Sequence, residues 1–201
     1  MLISHKLPLT FDARLLQSDL RQLSAEDWTP HFNRNYYEGE WKGLSLYSTT
    51  GQTKQLSTLP NDTRIAIETP ILARCPHLQQ ALSEFKCQFN FVRLLSLGPG
   101  AKIREHSDYF LGPEDGILRI HAPITTDSRV EFFVNHQTVV MQEGEAWYIN
   151  FNLSHSVNNC SDKDRVHLIV DCKVNDWLIG MIPFDEEELA QVKPYLSAAS
   201  A

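Results

Sequence analysis

The sequence predicts a mainly β protein, a sandwich or barrel with helices gathered in its N-terminal part, and three observations carry this prediction. From about residue 88 the chain reads as short β-branched and aromatic runs, FNFVRLLSL, GILRIHAPI, RVEFFV, QTVVM, EAWYINF and RVHLIVDCKV, parted by turns rich in Gly, Pro, Asn or Asp. Six or more strands at this spacing form a sandwich or barrel. None of the intervening segments is long enough for a crossover helix, which argues against parallel βαβ units.

Taken in order, residues 12–28, DARLLQSDLRQLSAEDW, place Leu15, Leu16, Leu20 and Leu23 at helical spacing, and Ser24 with Asp27 suggests a further cap. The stretch WKGLSLYSTTG alternates as a strand and ends in a turn. Residues 69–85, TPILARCPHLQQALSEF, read as a helix broken or kinked at Pro76, because proline lacks the amide hydrogen that a helix interior uses. After Trp177 the tail LIGMIPFDEEELAQVKPYLSAAS predicts a short helix with acidic residues in its first turn. These elements divide the chain into a helical N-terminal part with one strand (1–87), a barrel core (88–177) and a C-terminal tail (178–201), expected to form one domain over residues 1–201.

An apolar fraction of 42% and a charged fraction of 21% are those of an ordinary globular protein. The net charge of −7, without a Lys/Arg cluster, argues against a nucleic-acid surface and favours a small substrate or a protein partner. The opening MLISHKLPLTF has neither a basic start with a long apolar run nor a small-residue cleavage site, and no stretch is apolar enough to cross a membrane. A cytoplasmic location is expected. Cys75, Cys87, Cys160 and Cys172 form no C-x-x-C pair, so reduced structural thiols are expected.

The chemistry concentrates in LGPGAKIREHSDYF. In an extended strand residues i and i+2 point to one face, so His106 and Asp108 can project together and share an ion. One more histidine would complete a 2-His-1-carboxylate triad. The best candidate is His155, in FNLSHSVNN just beyond the strand EAWYINF. Ten residues on, Arg165 opens RVHLIVDCKV, and its guanidinium is a natural clamp for a carboxylate. Arg119 and His121, in ILRIHAPI, share a strand face with Ile117 while Leu118 and Ile120 face the other way. His167 has the strand parity of Arg165. A lone His-x-Asp is more often a hydrogen-bonded structural pair than a metal site. Here its order with a distal His and a following Arg, inside an all-β region, shifts the balance toward a metal. His5, His31, His77 and His136 fall in loop, helix or turn, where solvated histidines are expected, and Trp147 and Tyr148 read as core aromatics.

Together, LGPGAKIREHSD, LRIHAPI, GEAWYINFNLSHSVNN and RVHLIVD, over roughly residues 88 to 177, resemble the aspartyl/asparaginyl β-hydroxylase family of iron(II) and 2-oxoglutarate oxygenases, which includes relatives acting on free proline. The upstream HFNRNYYEGEWKGLSL is similar too. The resemblance implies a double-stranded β-helix, a jelly-roll or cupin-like barrel with the metal at its mouth. It implies His106 and His155 as iron ligands, Arg165 at the distal carboxylate of 2-oxoglutarate, and Arg119 and His121 helping to hold that cosubstrate. Fe(II), 2-oxoglutarate and O2 follow as cofactors, with hydroxylation of a C–H bond of an amino acid or an aspartyl/asparaginyl residue as the reaction. The animal enzymes of the family lack a carboxylate two residues after the first His; Asp108 makes this chain resemble the free-amino-acid branch more closely. Arg93 and the aromatic segment from His31 to Trp41 are candidates for a substrate's carboxylate and apolar body. The rival from another class is a cupin-like protein that binds or senses a metal without catalysis; it has no use for a carboxylate clamp, so Arg165, Arg119 and His121 discriminate.

Overall fold

The computed structural model describes residues 1–57 and 64–196, so the last five residues of the predicted tail lie outside the described residues. Two antiparallel sheets face one another. In the larger the order is β1 (Ser4–Thr10), β11 (Glu145–Ile149), β8 (Ile117–Thr125), β13 (Arg165–Lys173), β6 (Phe89–Leu97), β4 (Trp41–Ser48), β2 (Thr29–Pro30), with β5 (Ile67–Glu68) on the β4 side. In the smaller it is β10 (Gln137–Thr138), β9 (Val130–Val134), β12 (His155–Asn159), β7 (Lys102–His106), β3 (Tyr37–Glu38). From β6 onward the chain shuttles between the sheets: β6, β8, β11 and β13 belong to the larger, β7, β9, β10 and β12 to the smaller. This alternation is the double-stranded β-helix expected of a jelly roll.

Strand parity explains the layering. Leu118, Ile120 and Ala122 of β8, Leu168 and Val170 of β13, and Val92 and Leu94 of β6 form one core with α1 (Ala13–Leu20), α2 (Pro76–Ser83), α3 (Asp176–Ile179) and α4 (Glu186–Leu196), which lie over the outer face of the larger sheet. The alternate residues Leu95, Leu97 and Ile169 turn inward and meet Ile103, Phe132, Val134, Phe151 and Val157 in a second core between the sheets. The central strands are thus covered on both faces. Their inward positions also carry Arg93, Arg119, His121, Arg165, His167 and Asp171, all at most 8% exposed. Buried charge at that density marks the inner face as the site.

Several elements differ from the sequence expectation. The helix over 12–28 ends at Leu20; a separate 3-10 turn, Ala25–Asp27, follows and carries the expected Ser24/Asp27 capping box. Pro76 does not break a helix over 69–85 but starts one: a 3-10 turn, Leu72–Arg74, precedes it, and the proline takes the first turn of α2, where an amide hydrogen has no partner to lose. QTVVM supplies only Gln137–Thr138 as strand. Strands also arise where the pattern predicts none: β1 is added to the edge of the larger sheet by pairing with β11, and β12, only five residues long, lies between β7 and β9. His5 therefore lies in a strand. Among the described residues no helix is long and apolar enough to cross a membrane.

Candidate metal centre

His106 closes β7 and His155 opens β12, and the antiparallel register sets them directly opposite each other, with ring centroids 4.2 Å apart. Asp108 lies two residues past β7, anchored by its own amide, which donates to the Phe151 carbonyl at 2.9 Å. One ligand atom from each of His106, Asp108 and His155 falls within 4.8 Å of the others. Both rings are pinned alike: His106 Nδ1 lies 2.8 Å from the Arg104 carbonyl, and His155 Nδ1 lies 3.0 Å from that of Leu153. A carbonyl can only accept, so each Nδ1 carries the hydrogen, and in the neutral ring Nε2 then keeps the lone pair that a metal needs. Burial holds His155 neutral, its pKa lowered to about 4 despite the nearby Asp108 charge. Two imidazole lone pairs and a carboxylate oxygen are the donor set of a divalent first-row metal, so the residues fit one.

Asp108 is held from behind. Arg119 Nη1 donates to its Oδ2 at 2.6 Å, while Arg119 Nε and Nη2 grip Asp171 Oδ1 and Oδ2 at 2.6 and 3.0 Å. Arg93 Nη1 reaches Asp171 Oδ2 at 3.3 Å. The register accounts for this row, since Asp171 sits opposite Arg119 on β8. Burial works to raise the carboxyls of Asp108 and Asp171, but the guanidinium charges outweigh it and keep both below the usual carboxylate range. Arg119 thus commits three of its five N–H groups to the protein's own carboxylates and braces a candidate metal ligand.

Deeper between the sheets lies a second polar group. Arg165 is 3% exposed, its pKa pushed down to about 9 by burial, and among the described residues it has no ion-pair partner. Its Nε is buried without a hydrogen-bond partner, its Nη2 reaches His167 Nδ1 at 3.1 Å, and its charged end sits 5.7 Å from the Phe132 ring centre. His121 Nδ1 lies 3.3 Å from the same His167 nitrogen. Phe151 bridges the two halves of the site, its ring centroid 4.6 Å from those of both His155 and His121. A buried, unpaired guanidinium with an orphaned N–H is the chemistry of a carboxylate site.

A cavity of about 870 Å³ opens onto His106, Asp108, Arg93 and Arg119. His31, expected to be solvated, instead forms its wall: its ring stacks on Trp41 at 3.5 Å, and burial, with the positive Arg93 nearby, lowers its pKa to about 3. Tyr36 stacks on the His106 ring at 4.7 Å. Phe32, Tyr36, Tyr109 and Phe110 stand 63%, 39%, 78% and 58% exposed around the mouth. Phe110 has φ +67°, a strained backbone for an aromatic residue. The sequence pointed to the aromatic segment 31–41 and left Arg93 and Asp171 unpaired; an Asp among apolar residues of RVHLIVD was the available signal for the latter.

Over 163 residues the chain is 26% identical to L-proline cis-4-hydroxylase of Rhizobium meliloti (strain 1021), an alignment covering 80% of this chain and 57% of that protein, so the chain spans little more than half the length of that relative. Among solved structures, an oxidoreductase of the 2OG-Fe(II) oxygenase family from Burkholderia pseudomallei superposes with a TM-score of 0.58 at 12% identity, covering 85% of each chain. A Pseudomonas putida prolyl-4-hydroxylase superposes with a TM-score of 0.50 at 12% identity, covering 85% of this chain and 91% of that one. These two likenesses agree on the fold. Residues 10–174, which contain every strand that carries a candidate ligand, match the family model described as aspartyl/asparaginyl beta-hydroxylase, and the chain belongs to that family.

Proposed function

We propose that this protein is an Fe(II)- and 2-oxoglutarate-dependent dioxygenase that hydroxylates a C–H bond of an amino acid. The observation that carries the reading is the convergence of His106, Asp108 and His155 within 4.8 Å, in the same interior as an arginine, Arg165, buried with no counter-charge among the described residues. Iron bound with 2-oxoglutarate and O2 supplies oxidative decarboxylation to succinate and carbon dioxide coupled to hydroxylation. His106 and His155 offer Nε2, held in place by their Nδ1 bonds to backbone carbonyls. Arg119 fixes the orientation of Asp108. Arg165 receives the distal carboxylate of 2-oxoglutarate, with Phe132 against its guanidinium and His121 stacked on Phe132. The two sheets exclude water from that end.

The amino-acid substrate enters by the aromatic mouth. Arg93 lines the cavity with part of its charge answered by Asp171 at 3.3 Å, and it suits a substrate carboxylate. Phe32 and Tyr36, the more exposed aromatics beside the His31–Trp41 stack, offer aromatic surface to an apolar body, and the buried Trp41 Nε1 has no hydrogen-bond partner among the described residues. The likeness to a hydroxylase named for L-proline puts that imino acid first among the substrates to try, ahead of aspartyl or asparaginyl peptides. The test is succinate release from 2-oxoglutarate by iron-loaded protein against a panel of free amino acids and short peptides. Turnover stimulated by an amino acid and abolished in His155→Ala is expected. Full turnover in His155→Ala, or no succinate with any amino acid or peptide, would refute the proposal.

A further inference from the structure

His167 has no part in the roles assigned so far, yet its position is unusual. It is 1% exposed on the inward face of β13, two residues from Arg165, and its cross-strand neighbours are Leu95 on β6 and Pro123 on β8. An apolar side chain would be the ordinary occupant. Hydrogen-bond chemistry restricts what the imidazole can do there. A guanidinium has N–H donors and no acceptor, so the 3.1 Å contact between Arg165 Nη2 and His167 Nδ1 requires that Nδ1 carry a lone pair. His167 is then protonated on Nε2 when neutral. The same Nδ1 lies 3.3 Å from His121 Nδ1, which must be the donor of that pair. One lone pair therefore serves both donors, the Arg165 contact being the shorter, and the neutral His121 ring is in its Nδ1–H form with Nε2 free of hydrogen.

The charged groups around the pair reinforce this state. Burial first, then Arg165, holds His167 neutral; burial, then His167, Arg165, Arg119 and Arg93, does the same for His121. His121 is also braced by the Phe151 ring, 26° from parallel. With His121 Nε2 bare, the donors available to an entering carboxylate at this end belong to Arg165, whose Nε has no partner among the described residues.

Resting on the reading of Arg165 as the carboxylate site, we propose that His167 is a positioning residue for 2-oxoglutarate: its Nδ1 accepts from Arg165 Nη2 and sets that guanidinium for the distal carboxylate, while the contact with His121 keeps that ring beside it. His167 touches neither iron nor substrate. Its removal leaves a guanidinium N–H buried without an acceptor and lets His121 turn.

The test is calorimetric titration of 2-oxoglutarate into the Ni(II)-loaded 201-residue chain, with KM and kcat measured separately on the iron-loaded enzyme. His167→Leu, and His167→Gln, whose polar end lies farther from the backbone, should weaken 2-oxoglutarate binding roughly tenfold or more, as loss of a charge-assisted hydrogen bond does. KM for 2-oxoglutarate should rise in step while KM for the amino acid stays unchanged. His167→Asn, which keeps an acceptor near the Nδ1 position, should restore most of the affinity. Binding as tight in the Leu and Gln variants as in the native protein would overturn the proposal, as would a general loss that Asn does not rescue. Ring-nitrogen NMR tests the same point without any substitution at position 167: an Nδ1–H tautomer there would also overturn it. Arg165→Ala separates the two levels, because native affinity in that variant removes the carboxylate site itself, whereas lost affinity there with normal binding in His167→Leu removes only the role of His167.

Discussion

Asp171→Asn probes the charge row behind the candidate metal ligands. The carboxylate is 3% exposed and accepts from Arg119 at 2.6 and 3.0 Å and from Arg93 at 3.3 Å. The amide has the same size but no charge, so two buried guanidiniums are left to Asp108, whose side chain is 32% exposed. Removing one partner of a buried ion pair costs about 3 to 5 kcal/mol. The remaining amide oxygen still accepts one of the donors, which puts the expected cost at the low end, about 3 kcal/mol. For a chain of this size each kcal/mol moves the thermal midpoint by about 2 to 4 °C, so a fall of about 6 to 12 °C is expected. Circular dichroism of the metal-free protein measures it. Arg119 also loses its anchor, and with it the orientation of Asp108, so metal affinity should fall by about 10- to 100-fold, the usual effect of removing a group that orients a ligand. A midpoint within about 2 °C of the native one would refute the charge accounting. Lost stability with unchanged metal affinity would refute the link from Asp171 through Arg119 to Asp108.

Two further outcomes follow from the same interior. His31, His121 and His167 are held neutral, His31 with its pKa lowered to about 3 and the others well below the ordinary value of 6.5. The unfolded chain takes up protons near that value and the native state does not, so stability of the metal-free protein should fall as pH drops below 6.5, by up to about 1.4 kcal/mol per pH unit for each histidine. Urea midpoints from pH 7.5 to 5 check this, and a slope unchanged by His31→Phe would exclude His31 from it. Gly116 has φ +70°, and a Cβ there would strike the Tyr195 ring, whose hydroxyl donates to the Glu114 carbonyl at 2.7 Å. Gly116→Ala should cost about 1 to 3 kcal/mol from the backbone strain, and more from the clash. A cost no smaller in a Tyr195→Ala background would exclude the clash.

What the sequence revealed and what it hid have one physical origin. Local pattern located β4, β6, β8, β9, β11 and β13, because alternating or continuous apolar runs are set by immediate neighbours. The same parity placed Arg119 and His121 on one face, and both side chains do point between the sheets. β1 and β12 escaped because their strand character comes from partners distant in the chain, β11 for one and β7 with β9 for the other. His155 was therefore found as a strand-end histidine, without the register that sets it against His106. The ties of Asp171 to Arg119 and Arg93 were equally hidden, since each joins residues at least 52 positions apart. One signal could still have found the whole inner face. Strands covered on both sides should be apolar at every position, because an uncompensated buried charge is expensive. FVRLL, LRIH and RVHLIVD break that rule at alternate positions and on one face only. A solvated sheet would tolerate such residues anywhere along that face, whereas an interior retains them only where they answer one another or a ligand. Arg93, Arg119 and Asp171 answer one another; among the described residues Arg165 has no counter-charge, and that imbalance is the one the proposed carboxylate would answer.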